Sequence, residues 1–218
     1  METKITAETA KIPDSGNRTE LIKGGGLRDI QPENGRCDLL PLGILADVIH
    51  MAHNEIDTCV VDRFTECDEH ILVGKIFALI NKYIYNGTIE SLKKALIIFM
   101  LHNYSTEHIC SSGDNKEIVV AQAISTGILE LSKRYREGAE KYAERNWEKG
   151  IPIKSCLDSG IRHLLKWHRM DADENHASAF MWNIVGAIWM HTYKPDCIGE
   201  MPFLLVNPDI CLNNVSKH

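Results

Sequence analysis

At 218 residues, 44% hydrophobic and 25% charged, the chain is long enough for one complete hydrophobic core and should fold without covalent staples. A formal net charge of -6 argues against a general polyanion binder, whose affinity rests on surplus Lys and Arg, so stable nucleic-acid binding is not expected and any phosphate ligand must be held locally. Apolar runs such as residues 95–101 fall far short of the roughly 20 residues a bilayer needs, and seven cysteines without a CxxC pair, with no apolar export segment, point to reduced thiols in a cytoplasm.

Residues 1–38 read as an extended arm. From Asp14 the chain is rich in Gly, Asp, Asn and Arg and lacks apolar periodicity. The Gly24, Gly25, Gly26 run is not a phosphate loop, since no Lys-Ser/Thr follows it. Arg18, Arg28 and Arg36, interleaved with Asp29 and Asp38, could fold over an anion or a neighbouring subunit, or the arm could be a disordered tail.

From Leu39 the pattern is helical, and residues 39–195 read as one all-α domain. LLPLGILADVIHMAH, HILVGKIFALINKYIYNG and TIESLKKALIIFMLHNY each place apolar residues near i, i+3, i+4 and i+7. Asn86-Gly87 separates the last two as a turn, with Thr88 as N-cap of the second. A further helix is expected from Lys116 through Glu144, interrupted or bent near Gly127 or Gly138. Ser155 with Asp158 can cap the next, and Asp173 the last, which should run to about Tyr193. Residues 196–218 form an extended tail, β-prone over 201–212.

The stretch from Gly138 to Asn183 carries the chemistry. On one predicted helix Arg162, Lys166 and Arg169 form a stripe of cations able to hold phosphate oxygens, while Ile161, Leu164, Leu165 and His168 face a core. The alternative is a solvated basic face, with Asp158 offsetting Arg162 one turn away. Lys141, Arg145 and Asn146 suit base or phosphate reading, and Tyr142, Trp147 and Trp167 offer flat surfaces for a purine, whereas Trp182 and Trp189 read as packing. His163, His176 and Asn183 could line a polar pocket between helices, or satisfy one another in the core. No Cys has a His partner at a diagnostic spacing, which disfavours thiol catalysis.

The blocks DSGNRTE, RDIQPENGRCDLLP, GAEKYAERNWEKG, LDSGIRHLLKWHR and DENHASAFMWN, in that order, resemble the phage and prophage family of dATP/dGTP diphosphohydrolases, N-terminal type, itself similar to the MazG-like all-α NTP pyrophosphatases. The resemblance covers roughly residues 14–42 and 120–190, and residues 43–119 look like a helical insertion. It implies a MazG-like helical bundle, assembled as a homo-oligomer, that cleaves a (deoxy)nucleoside triphosphate between the α and β phosphates with Mg²⁺ or Mn²⁺, in a bacterial cytoplasm under phage or prophage control. Hydrolysis there needs carboxylate oxygens around a hard cation, which MazG-like enzymes supply as ExxE and ExxD pairs. Glu137 and Glu140 have ExxE spacing and are the expected catalytic acids and metal ligands, although a solvated charged face would look the same. At the position of the second pair stand His176, Ala179 and Asn183; Asp171, Asp173 and Glu174 just upstream could substitute, with Asp173 and Glu174 the expected metal ligands, or could equally be first-turn acids favoured by the helix dipole. An imidazole there is ill-suited to Mg²⁺.

Two function classes remain. One is a metal-dependent nucleotide pyrophosphohydrolase. The other is a non-hydrolytic binder that needs no metal and sequesters a host immune signalling nucleotide as an anti-defence sponge. In both, Lys141, Tyr142, Arg145, Asn146, Trp147, Arg162, His163, Lys166, His176 and Asn183 are the expected nucleotide contacts.

Overall fold

A computed structural model describes residues 18–20, 27–29, 34–54, 68–105 and 116–199. Gly24 to Gly26 and the tail over 201–212 therefore lie outside the described residues, as do Cys59, Cys67, Cys110 and Cys211. The chain divides into two units, residues 1–34 and 35–218. The first contains a short antiparallel pair, β1 (Arg18–Glu20) and β2 (Leu27–Asp29), with Arg18 opposite Asp29.

The second unit is an all-α bundle. Its described helices are α1 (Leu42–Asn54), α2 (Glu69–Asn86), α3 (Ile89–Tyr104), α4 (Lys116–Tyr142), α5 (Ile153–His168) and α6 (His176–Tyr193). Two of them form the centre. In α3 every residue from Ala95 to Leu101 is buried, and α6 buries almost all its residues from His176 to Met190, so both are enclosed on all sides and not merely along one stripe. α5 packs most extensively on α6, α2 lies along α3, and α4 spans the two central helices. Although α3 belongs to the stretch that looks like an insertion, it shares the core with α6: Phe99 meets Phe180 edge-on at 4.6 Å between ring centres.

The helix ends differ from expectation in three places. α4 runs unbroken through Gly127 and Gly138; Gly127 serves packing, since a Cβ there would fall 2.8 Å from Met100 Cγ and 3.2 Å from Tyr104 Cδ2. α5 starts behind Pro152, whose fixed φ suits a helix entry, leaving Ser155 inside the helix. Asn175, not Asp173, caps α6 by accepting from Ser178 N, because Asp173 is engaged with Lys166 and His176. The Asn86-Gly87 turn falls as expected, with Thr88 bonded back to Asn86 Oδ1. Leu165, expected in the core, is 46% exposed.

Residues just before Leu39, read as part of an unpacked arm, are clamped to α4. Arg36 N donates to Ser132 O at 3.1 Å, and the Arg36 guanidinium bridges Asp38 and Glu144. Gly35 is obligatory at this crossing: a Cβ would lie 1.7 Å from Ser132 Oγ and 2.5 Å from the Ser132 carbonyl carbon, and backbone cannot step aside. Gly35→Ala is therefore expected to cost about 1–3 kcal/mol, read as a lower urea midpoint at unchanged slope. An unchanged midpoint would mean that the segment detaches from α4 without penalty.

Candidate active site

The end of α4 builds the site. After Tyr142 the chain reverses through Ala143 (φ 107) and Arg145 (φ 54), both in left-handed territory, and enters a 3-10 turn over Asn146–Lys149. Holding non-glycine residues there costs on the order of 1–3 kcal/mol each. Trp147 is one anchor that offsets this: it is buried edge-on against Tyr135 (5.6 Å) and Trp189 (4.8 Å). The reversal brings Arg145 and Asn146 back beside Lys141 and Tyr142.

Between this reversal and the helices lies a cleft of about 430 Å³, within the size of small-molecule sites. α4 contributes Arg134, Glu137, Lys141 and Tyr142, and the turn adds Arg145, Asn146 and Trp147. Ser159 and His163 come from α5, Trp182 and Asn183 from α6, and Leu39 from the clamped segment.

Charges in the cleft are partly committed. Arg134 holds Glu137 through one nitrogen and Glu174 through the other, each at 2.9 Å, so carboxylates from two separate elements meet on one guanidinium. Arg145 pairs with Glu148. Lys141 has no carboxylate partner among the described residues; its ammonium stands 5.0 Å from the Tyr142 ring centre and is available to an anion. Asn183 donates Nδ2 to Ala179 O at 2.8 Å, which fixes its amide orientation and leaves its carbonyl oxygen to accept from a ligand.

The family model described as dATP/dGTP diphosphohydrolase, N-terminal, matches residues 111–197. Over this segment, less than half of its length, the chain is similar to that family. No curated protein and no solved structure matches the chain. The family segment contains α4, α5, α6 and the strained reversal, hence every cleft residue named above except Leu39. No helix among the described residues is long and apolar enough to cross a membrane.

Of the residues singled out from sequence, the matched segment brings Glu137, Lys141, Tyr142, Arg145, Asn146, Trp147, His163 and Asn183 to the cleft. Others it places elsewhere. The three stripe cations each meet a carboxylate: Arg162 pairs with Asp158, Lys166 with Asp173 at 2.7 Å, and Arg169 with Asp171. Arg162 and Lys166 do not line the cleft, whereas His163 on the same helix does. Glu140 is turned to Arg136 at 3.0 Å and is also outside the lining. Trp167 packs on Phe99 and donates to Asn103 Oδ1 at 3.0 Å.

His176 is buried behind the cleft wall. Its Nε2 meets Asp173 Oδ1 at 2.8 Å, and its Nδ1 lies 3.1 Å from Nδ1 of His163. Lys166 first, then His176, holds the Asp173 carboxyl down to about 2, so it is an obligate acceptor and Nε2 of His176 carries the proton. Burial pushes the His163 pKa below its ordinary value, with Glu174 opposing.

Among the cleft residues that sequence reasoning misses are Arg134, Ser159 and Trp182. Arg134 precedes Glu137 by one turn and Ser159 precedes His163 by one turn, so both spacings carried a usable signal. Trp182 was assigned to packing from its spacing to Trp189; it leans on Tyr135 at 6.3 Å and still lines the cleft.

Proposed function

We propose that the cleft binds a purine (deoxy)nucleoside triphosphate and hydrolyses it to the monophosphate and pyrophosphate, serving phage or prophage nucleotide metabolism in a bacterial cytoplasm. The observation that carries this reading is that Lys141, Arg145, Arg134 and Glu137 line one cleft, with Glu174 drawn to Glu137 through the shared Arg134, inside the segment that matches the diphosphohydrolase family. Lys141 and Arg145 hold phosphate oxygens, Tyr142 and Trp182 offer ring faces to the base, and the Asn183 carbonyl accepts from an exocyclic amine. Water attacks the α-phosphorus, the bond to the bridging oxygen breaks, and pyrophosphate leaves.

A Mg²⁺ or Mn²⁺ ion would be held by Glu137 and Glu174, whose hard oxygens suit it and which are already drawn together by one cation. Such an ion supplies charge neutralisation and a more acidic attacking water. Glu140 and Asp173, committed to Arg136 and Lys166, are left out of this set. Assembly as a homo-oligomer belongs to the same proposal, supported by the family resemblance and by exposed Leu42 and Ile49 on α1.

Two observations favour the non-hydrolytic alternative: Arg134 neutralises both acids, and Ala179, where a second acid pair would need a carboxylate, is fully buried. Both readings use the same clamp. Lys141→Ala is expected to weaken dATP or dGTP binding in calorimetry by about 1.5–3 kcal/mol, the range for a hydrogen bond to a charged group. Arg162→Ala should leave affinity within about twofold, since its guanidinium is exposed and tied to Asp158. The opposite ranking would move the nucleotide to the outer face of α5.

A further inference from the structure

We infer that His163, His176 and Glu174 form a binding site for a borderline divalent ion of the zinc and cobalt class. Three ligand atoms converge there. His163 Nδ1 and His176 Nδ1 are 3.1 Å apart, and Glu174 Oε1 lies 3.6 Å from the first and 3.8 Å from the second. A tetrahedral ion with bonds of about 2.0–2.1 Å spaces its ligands by about 3.3 Å, so small side-chain adjustments close the set.

The surroundings prepare these atoms for a metal. Asp173 accepts the Nε2 proton of His176, which leaves Nδ1 as the ring atom that faces His163 Nδ1 and Glu174 Oε1; a carboxylate behind a ligating imidazole is the usual orienting contact. Arg134 grips the other oxygen of Glu174 and so fixes Oε1 toward the histidines. Two imidazoles and one carboxylate match zinc-class ions and not Mg²⁺, which prefers oxygen alone. His176 is 3% exposed and His163 is partly buried, so both rings are held before an ion arrives. Because His163 also lines the cleft, an ion on it stands at the cleft wall with a coordination position to spare. Glu174 would then serve two centres, through Oε1 here and through Oε2 beside Glu137. The inference does not rest on the nucleotide reading, and metal alone tests it.

The full chain, stripped with a chelator and with its thiols alkylated so that cysteines cannot bind, should take up one equivalent of Co²⁺ with visible ligand-field bands of a tetrahedral ion, and one equivalent of Zn²⁺ should displace it. His163→Gln and His176→Gln should each lower Co²⁺ affinity at least about tenfold, and Asp173→Asn by about 10–100-fold through loss of the orienting contact. Circular dichroism establishes that each variant folds, and should the buried His176 variant not fold, the His163 variant decides. The exposed pair His70 and His168, 2.8 Å apart on another face, supplies the control: His168→Asn should leave uptake unchanged. Absence of the bands, or uptake that survives His163→Gln but falls with His168→Asn, would overturn the site.

Discussion

Glu137→Gln is expected to slow hydrolysis of dATP or dGTP at least about a hundredfold, or about 2.7 kcal/mol in the transition state, while Glu140→Gln changes it by less than about threefold. The two acids stand one turn apart on α4, and sequence spacing gives them equal claims. Their partners separate them. Glu137 lines the cleft and shares Arg134 with Glu174, whereas Glu140 is two-thirds exposed and bound to Arg136. A glutamine at 137 keeps size and hydrogen bonding but removes the negative charge a cation needs, so nucleotide binding through Lys141 should survive while kcat falls. Steady-state rates with matched binding isotherms check this. Equal losses in both variants would restore the exposed ExxE ladder as the acid pair.

Phe180→Ala should destabilise the fold by about 3–5 kcal/mol, lowering the melting temperature by roughly 6–20 °C. Phe180 is fully buried on α6, and its ring meets Phe99 of α3 edge-on at 4.6 Å, while Phe99 also meets Trp167 of α5 at 5.1 Å. Truncation would empty the point where three helices lock, and packed backbone around it cannot collapse to fill the gap. Calorimetric melting measures the loss; a change below about 1 kcal/mol would show that α3 and α6 are not the joint centre of the core.

Helix number and order were legible from apolar periodicity because an i, i+3, i+4 pattern reports one buried face. What periodicity cannot report is which neighbour meets the polar face. Arg162, Lys166 and Arg169 form the stripe that spacing requires, yet Asp158, Asp173 and Asp171 meet all three, two of them from the loop beyond α5. Glu137 and Glu174 share a guanidinium although 37 positions separate them in the chain, a meeting that only the fold of α4 against the α5–α6 turn creates. The reversal at Ala143 and Arg145 was equally hidden, since neither residue favours positive φ and tertiary packing imposes it. By contrast Lys141, Tyr142, Asn146 and Trp147 were legible as a dense local block, and a block so short in sequence has to lie together in space.

The central claim, that this cleft turns over a purine nucleoside triphosphate, is tested most directly by incubating the purified chain with dATP and dGTP in Mg²⁺ or Mn²⁺ and quantifying monophosphate and pyrophosphate. The account predicts the two products in equal amounts, abolished by a chelator and strongly reduced by Glu137→Gln. Nucleotide held tightly in the presence of chelator, with no pyrophosphate at any metal concentration, would contradict it and establish the cleft as a binder.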